Sequence, residues 1–315
     1  MFDLDLLLRD ATTGHEVRRE SLPAHVAERL IADTHASGVL AGVLPNDGAP
    51  IRVDGFSLET GDGPARLRVE VGMGETSFQK LYSHAVLRDD AEVIIARLLQ
   101  TKAIEKGTYT FTPASRTATS TAGGRIRLRP APRRPGRLPG GSLVERGVRE
   151  PRACRHPAIV LPRRQAQALV SQARASEVEV GASLMVETFL VEEPVPCRLG
   201  LRVLEVIELA HGTAGTETHL RITPEALAAV GARETEARRA GGLAHSHPFG
   251  RKLEPGADPR FLSSEDKAVA TGWYWQPHHI QLIVDPRFTD PEDAIAAYAW
   301  VDAALVRVCL YLTEG

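Results

Sequence analysis

Two short stretches near the C-terminus decide the fold of this chain: Gly242-Leu243-Ala244-His245-Ser246-His247-Pro248 and Phe261-Leu262-Ser263-Ser264-Glu265-Asp266. The first stretch is apolar at its start and is bounded by glycine and proline, a pattern typical of a strand. Because alternate residues of a strand share a face, His245 and His247 are predicted to point to the same side. The second stretch has serine before a run of polar and small residues, which predicts the start of a helix.

Three side chains in these stretches have the chemistry of zinc ligands. His245 and His247 can bind one metal ion at the end of a strand, and Asp266 would complete three protein ligands with a fourth position left for water, as in catalytic zinc sites. Ser263 and Asp266, three residues apart, lie on one face of the predicted helix. Taken alone, Ser-x-x-Asp also fits a helix-capping box, and alternating histidines can be ordinary polar strand residues. The compound pattern favours the metal site.

The compound pattern resembles the motif of the JAB/MPN zinc metalloproteases, also called JAMM. In that motif a glutamate well upstream is followed by His-x-His and then by Ser-x-x-Asp. His245, His247, Ser263 and Asp266 match it residue by residue. The later apolar segment from Ile280 to Pro286 is also similar to family sequence around the metal. The resemblance covers roughly the C-terminal half of the chain.

The spacer between the two parts of the motif departs from the family. It runs from Pro248 to Leu262 and holds fifteen residues, whereas the family's usual spacer is shorter. Its turn-forming and charged residues predict an exposed loop beside the metal. Such a loop can cover the cleft or grip a substrate. It can equally be a surface insertion, because a longer loop costs little additional closure entropy. The sequence leaves open whether residues 248–262 gate the site.

The upstream glutamate has more than one candidate. We choose Glu179, because it follows a predicted helix from Arg163 to Ala175 and precedes small and then apolar residues, which is similar to the family pattern. Glu177 remains the alternative. The resemblance implies that this carboxylate takes a proton from a zinc-activated water and delivers it to the departing amine. It further implies that Ser263 stabilises the oxyanion of the tetrahedral intermediate.

Composition and charge argue against several classes of protein. The 315 residues are 43% hydrophobic and carry a formal net charge of -2, which predicts packed domains without a global attraction to nucleic acid. The N-terminus lacks a basic leader, and the most apolar predicted helix, from Ala294 to Val306, is interrupted by Asp302, so we expect no membrane span. Three widely spaced cysteines suggest no disulfide framework and a reducing, cytoplasmic location. The excess of arginine over lysine favours a bacterial source.

The chain is predicted to hold two domains and a linker, of α+β or α/β class. Residues 1–128 combine short strands with two helices, Pro23 to Ala36 and Asp89 to Ala103, and their opening resembles that of a ubiquitin-like β-grasp domain. Residues 129–142 are dense in proline, glycine and arginine, which predicts an exposed linker. Residues 143–315 alternate strands and helices, which predicts a mixed central sheet flanked by helices. By resemblance this part is a JAB/MPN domain.

The resemblance also implies a function. It indicates a peptidase or isopeptidase that uses Zn²⁺ to hydrolyse the amide bond after the C-terminus of a ubiquitin-like modifier. The N-terminal domain would recruit the modifier or enzymes of its conjugation system. Two alternatives stay open. One is a noncatalytic scaffold, since many MPN domains have lost their ligands and serve in assembly. The other is a nucleic-acid-associated factor that uses the arginines between Arg125 and Arg155, although nucleic acid is not the expected partner.

Overall fold

The computed structural model describes residues 4–45, 51–59, 65–115, 124–126, 133–136, 142–144, 157–191, 198–209, 213–216, 220–233, 239–254 and 257–314. Contacts between Cα atoms divide the chain into two compact units. The first comprises Met1–Pro130, Ser263–Pro277 and Asp302–Ala304, and the second comprises Ala131–Leu262, His278–Val301 and Leu305–Gly315. Within the described ranges, no helix combines the length and the apolar character needed to cross a lipid bilayer.

The elements up to residue 126 form two antiparallel sheets and two helices. In chain order they are β1 (Leu4–Asp10), β2 (Glu16–Ser21), α1 (Ala24–Leu40), β3 (Ile51–Glu59), β4 (Arg66–Met73), β5 (Thr76–Ser83), α2 (Arg88–Gln100), β6 (Tyr109–Ser115) and β7 (Gly124–Ile126). One sheet has the strand order β2-β1-β6 and the other has the order β5-β4-β3-β7. The two predicted helices of this region are therefore present, with ends that differ from the prediction by one to four residues.

Alternating burial explains how these elements share a core. Leu6 and Leu8 of β1 are fully buried, as are Leu30 and Ile31 of α1 and Leu67 of β4. Period-two spacing puts the leucines of β1 on one face of the sheet, and helical spacing puts Leu30 on the same face of α1 as Val26, which is also fully buried. These side chains belong to one apolar cluster, which is the core of the first unit.

The remaining elements alternate strands and helices. In chain order they are β8 (Arg133–Gly136), β9 (Ser142–Val144), β10 (Ala158–Pro162), α3 (Arg163–Ala175), β11 (Gly181–Val191), β12 (Arg198–Glu208), β13 (Thr213–Gly215), β14 (Leu220–Ile222), α4 (Pro224–Gly231), β15 (Arg239–Ser246), α5 (Ser264–Trp273), β16 (Ile280–Val284), α6 (Pro291–Ala294), β17 (Ile295–Val301), β18 (Ala304–Val308) and β19 (Leu310–Thr313). Helix α5 belongs to the first compact unit, although it follows β15 in the chain.

One mixed sheet dominates the second unit. Its strand order is β18-β17-β16-β15-β11-β12-β10-β19-β9, and β8 lies beside β11 outside that path. Strand β15 is parallel to β16 and antiparallel to β11. The buried stripe of α3, which includes Leu169 and Val170, joins Leu184, Ala244 and Leu282 in one core on a single face of the sheet. The mixture of sheet and few helices agrees with the predicted α+β class.

The predicted helix from Ala294 to Val306 is wrong, because this segment forms the hairpin of β17 and β18. Asp302 and Ala303 connect the strands with φ values of 49° and 59°. A two-residue turn with both φ values positive matches the twist of a hairpin. Strand β17 pairs with β16 along its length, so tertiary pairing overrides the helix propensity of its alanines.

Cys309 also departs from expectation. It is buried and takes part in a disulfide bond. The expectation of a chain without structural disulfides is therefore wrong at this residue. Its consequence is that cysteine usage no longer supports a reducing compartment, and the cytoplasmic location stays a prediction.

The predicted linker, residues 129–142, lies mostly outside the described residues. Within it, the structure describes residues 133–136, which form β8, and Ser142, which begins β9. Strand β8 pairs with β11 in parallel, with Arg133 opposite Thr188. Most of the arginine-rich segment between Arg125 and Arg155 likewise lies outside the described residues, so its role stays a prediction.

Candidate metal site

Strand β15 carries both histidines of the candidate site. His245 lies opposite Gly181 of β11 and opposite Ile283 of β16. The ladder continues past the strand end, because the His247 backbone N–H donates to the Val284 carbonyl at 3.0 Å. Ala244, between the leucine and the first histidine, points into the core on the opposite face. The alternation therefore puts His245 and His247 together on the sheet face away from α3.

The two imidazoles converge. Both side chains are almost completely buried, with 3% of His245 and 2% of His247 exposed, and their Nε2 atoms lie 3.1 Å apart. Two nitrogens bound to one tetrahedral zinc ion at about 2.05 Å would be about 3.3 Å apart. Each of His245, His247 and Asp266 offers one ligand atom, and these atoms all lie within 4.8 Å of one another. The structure thus brings together the three residues that the motif singled out.

The ring of His247 is oriented by its second nitrogen. Nδ1 lies 2.6 Å from the carbonyl oxygen of Pro259. A carbonyl oxygen only accepts hydrogen bonds, so Nδ1 must carry the proton and Nε2 of the neutral ring keeps its lone pair. Phe249 and Phe261 flank the imidazole, with ring centroids 4.9 and 5.9 Å from it. Metal-binding histidines commonly donate their other N–H to a carbonyl in this way.

Helix α5 starts with a capping box made of the predicted residues. The Asp266 backbone N–H donates to Ser263 Oγ at 3.1 Å, and the Ser263 backbone N–H donates to Asp266 Oδ2 at 2.8 Å. The capping alternative is therefore correct, and it does not compete with the metal alternative. A carboxylate has about four lone-pair sites, enough to cap a helix and to face a cation. The cap fixes the rotamer of Asp266.

The same first turn of α5 forms ion pairs with α2. Lys267 Nζ lies 3.3 Å from Asp89 Oδ1 and also forms an ion pair with Glu92. The ammonium is mostly shielded from solvent, with 20% of its side chain exposed, so this contact is screened less than a surface pair. The capped end of α5 is consequently held against α2 within the first unit.

Burial separates the two glutamate candidates. The Glu177 side chain is 90% exposed and lies 2.9 Å from Arg251 Nη1. Glu179 is buried, with 6% of it exposed, and its backbone N–H donates to the Thr216 carbonyl at 2.7 Å. A proton-transferring carboxylate must be held in the interior of the site, which favours Glu179 over Glu177.

The backbone that follows Glu179 is hydrogen-bonded to β15, the strand that carries the histidines. Gly181 lies opposite His245, and Ser246 N–H donates to the Val180 carbonyl at 3.0 Å, so the antiparallel pairing runs on beyond β11. The Val180 N–H donates in turn to Ser246 Oγ at 3.1 Å. Extended by one more residue, this register predicts Glu179 opposite His247. Within the described residues, the candidate ligand group does not include Glu179.

No protein-family model matches this chain, and a search of curated proteins finds no match. The assignment of the site therefore depends on the motif and on the geometry described above. Both support the histidines of β15 and the carboxylate at the start of α5, and burial favours Glu179 of the two glutamate candidates.

Two contacts that the motif did not reveal hold the glutamate segment. Arg251 donates to the carbonyls of Ala173, Arg174 and Ser176 at 3.3, 2.9 and 3.0 Å, which caps the C-terminal end of α3. Ser246, between the histidines, binds Val180 through its hydroxyl. An arginine in a loop carries no signal that predicts such a cap, whereas the serine between the histidines was visible but had no predicted role.

The spacer loop, expected to be exposed, is exposed only in part: six of its thirteen described residues are exposed, whereas Pro248, Gly250 and Pro259 are buried. Asp258 lies 2.7 Å from Arg260 Nε and 3.0 Å from Arg307 Nη1, and Pro259 is buried. Burial raises the pKa of Asp258, but hydrogen bonds from Arg260 and Arg307 outweigh it and hold the pKa below its ordinary value of 3.8. Arg287, paired with the buried Asp285, donates to the Ala257 carbonyl at 2.8 Å. These contacts argue against a loop that swings freely as a lid.

Proposed function

We propose that this chain is a zinc-dependent peptidase or isopeptidase of the JAMM type, with residues 143–315 as its JAB/MPN domain. The observation that carries the proposal is the approach of His245 Nε2 and His247 Nε2 to 3.1 Å, in one group with the Asp266 carboxylate. Two buried imidazoles and one carboxylate are the ligand types of a catalytic zinc site.

His245, His247 and Asp266 hold Zn²⁺ in this proposal. The fit is supported by His247, whose Nδ1–H bond to Pro259 leaves the Nε2 lone pair directed at its neighbour. It is also supported by the capping bond from the Ser263 N–H, which orders the Asp266 carboxylate before any metal binds. A zinc ion at such a site supplies a Lewis acid and lowers the pKa of a bound water toward about 7.

Glu179 carries the proton in this proposal. Its carboxylate accepts a proton from the attacking water and returns it to the nitrogen of the departing amine. Its burial supports that role, and so does the register of β11 with β15, which predicts Glu179 opposite His247 when it is extended by two residues. General acid–base catalysis of this kind typically contributes about 10² to 10⁴ in rate.

Ser263 donates to the oxyanion of the tetrahedral intermediate in this proposal. Its Oγ accepts a hydrogen bond from the Asp266 N–H, so its own proton is directed elsewhere. Helix α5 begins at Ser264, and the positive end of its dipole adds to the stabilisation of negative charge at this point. Removing one oxyanion donor typically costs about 10²-fold or more in turnover.

The substrate class follows from the resemblance rather than from the site, since a zinc-activated water can attack many amides. On that basis the substrate is the amide bond after the C-terminus of a ubiquitin-like modifier, in a conjugate or a precursor. The N-terminal unit would recruit the modifier or enzymes of its conjugation system.

The test is cleavage of a panel of ubiquitin-like fusions, together with the zinc content of each protein. Glu179→Gln keeps the shape of the side chain and removes its basicity. We expect it to retain zinc and to lose about 10² to 10⁴ in turnover. Glu177→Gln is the matched control, because it removes the same charge from an exposed side chain that lies two residues before Glu179. This variant should cleave like wild type.

Three outcomes separate the alternatives. Zinc-dependent cleavage that is lost in Glu179→Gln and kept in Glu177→Gln supports the peptidase. Stoichiometric zinc without cleavage of any fusion contradicts the proposed substrate class. A folded wild-type protein that takes up no zinc contradicts the enzyme altogether and favours the noncatalytic scaffold.

A further inference from the structure

We infer that Asp258 is a positioning residue for His247, acting through the carbonyl of Pro259. The inference deepens the proposed function, because it names what prepares one of the three proposed ligands. The chain of contacts runs from the Asp258 carboxylate to a turn around Pro259, from the Pro259 carbonyl to His247 Nδ1, and from there to the Nε2 lone pair.

The carbonyl of Pro259 decides the tautomer of His247. The separation of 2.6 Å between Nδ1 and the carbonyl oxygen is that of a strong hydrogen bond, and only the imidazole can donate it. A neutral histidine without a bound metal can adopt either tautomer. The tautomer protonated on Nε2 cannot bind a metal through that atom. Fixing the proton on Nδ1 therefore prepares Nε2, which faces Nε2 of His245 at 3.1 Å.

Asp258 holds that carbonyl in place through its side chain. Its Oδ1 accepts from the backbone N–H of Arg260 at 3.0 Å, which closes a turn from residue 258 to residue 260 with Pro259 at its centre. The Arg260 side chain grips the same carboxylate through Nε at 2.7 Å and Nη2 at 3.1 Å. Both peptide groups that flank Pro259 are thereby oriented.

Neighbouring contacts keep this turn against the sheet. Arg307 of β18 donates to Asp258 Oδ2 at 3.0 Å, and the Tyr298 hydroxyl of β17 donates to the Arg260 carbonyl at 2.6 Å. Pro259 packs closely against Gly250, since a Cβ at residue 250 would lie 2.7 Å from Pro259 Cγ. Residues of the long spacer between His247 and Ser263 thus help to position His247.

The first measurement is the tautomer of His247 by long-range ¹H–¹⁵N NMR on the full-length chain, before and after zinc is added. We expect wild type to be protonated on Nδ1 even without zinc. Asp258→Ala should produce a mixture with the Nε2-protonated form. It should also weaken zinc binding about 10- to 100-fold, the usual effect of losing support for a metal-binding histidine.

Three further variants make the test specific. Asp258→Asn keeps the oxygen that closes the turn, so it should preserve the tautomer and most of the zinc affinity. Gly250→Ala disturbs the packing of Pro259 without changing the Asp258 carboxylate. It should alter the His247 tautomer and weaken zinc binding as Asp258→Ala does. Glu254→Ala removes the same charge from an exposed position in the same loop and should behave like wild type.

The outcomes are distinct from those of the proposed function. Asp258→Ala with an unchanged tautomer overturns the inference, whatever the zinc content. Equal losses in Asp258→Asn and Asp258→Ala also overturn it, because they would assign the effect to charge rather than to the turn. If wild type takes up no zinc, the proposed function fails while the tautomer still decides whether Asp258 orients His247.

Discussion

The ion pair of Arg29 and Asp90 in the first unit and the histidine pair of His245 and His247 in the second are equally hidden from solvent. The first pair joins opposite charges in a fork, with Arg29 Nη1 3.2 Å from Asp90 Oδ1 and Nη2 2.5 Å from Oδ2. The second pair brings two like groups to 3.1 Å. Buried charges of opposite sign satisfy each other, whereas two imidazole nitrogens at that distance need a shared proton or a shared cation.

The polar cluster around Tyr82 resembles the ion pair of Arg29 and Asp90, because its polar side chains also pair with one another. Lys80 Nζ lies 2.7 Å from Asp33 Oδ2, and the Tyr82 hydroxyl donates to the same oxygen at 2.7 Å. Burial raises the pKa of Tyr82 above its ordinary value of 10, and the neighbouring charge of Asp33 raises it further. Its hydroxyl is therefore a hydrogen-bond donor and not an acid. Such a cluster stabilises the fold, and we expect mutations in it to leave the metal site unchanged.

The largest expected effect separates the two pairs outright. His247→Ala should abolish zinc uptake, because it removes a ligand, and should leave the protein folded, because the site lies at a strand end. Asp90→Ala should retain about one zinc per chain. The comparison is read from zinc content by atomic emission and from circular dichroism of each variant. Full zinc uptake by His247→Ala would show that the histidine pair is structural like the ion pair.

The next effect concerns stability. Asp90→Ala leaves the buried Arg29 without its partner carboxylate and should lower the free energy of unfolding by about 3–5 kcal/mol. Replacing both residues together with apolar ones, as in Arg29→Met with Asp90→Leu, should recover most of that loss. Urea unfolding measures both. A double variant as unstable as Asp90→Ala would contradict the view that the loss comes from an unpaired buried charge.

A smaller loss is expected for Tyr82→Phe. It removes a buried donor to Asp33, whose carboxylate stays paired with Lys80. The free energy of unfolding should fall by about 1–3 kcal/mol. Zinc affinity, measured by competition with a chelator, should not change. A change in zinc affinity would mean that the two polar clusters are coupled and would break the distinction between them.

The smallest expected effect depends on pH. Burial lowers the pKa of His25 below its ordinary value of 6.5. A depressed pKa in the folded state means that the unfolded state binds more protons, so stability is lost as the pH falls below about 6.5. His25→Gln should lose less stability than wild type between pH 7.5 and pH 5. Parallel losses in the two proteins would exclude His25 as a contributor.

Local sequence patterns predicted the elements in which the spacing of apolar residues is typical of one kind of secondary structure. Helix α3 runs from Arg163 to Ala175, as predicted, because the helical spacing of its apolar residues is unambiguous. The helix predicted from Ala294 to Val306 was wrong because the alanines of this segment favour a helix locally. Pairing with β16 and the turn at Asp302 and Ala303 decide its structure, and neither is visible in the spacing.

The candidate site divides in the same way. Imidazoles and carboxylates can be recognised by residue type, so the sequence could single out His245, His247 and Asp266. The acceptor for His247 Nδ1 is a backbone carbonyl, which every residue has, so no pattern could predict Pro259. The turn-forming residues of the spacer predicted a loop, but not which of its carbonyls would accept from His247. The sequence pattern already favoured Glu179 over Glu177, and the burial of Glu179, which spacing alone does not determine, supports the same choice.

The central claim is that His245, His247 and Asp266 hold one zinc ion, and X-ray absorption at the zinc edge tests it most directly. For wild type loaded with one equivalent of zinc, we predict a four-coordinate site of nitrogen and oxygen ligands at about 2.0–2.1 Å, with the scattering of two imidazoles and no sulfur. His247→Ala should lose this spectrum. A hydrated six-coordinate ion, a sulfur ligand, or an unchanged spectrum in His247→Ala would contradict the account.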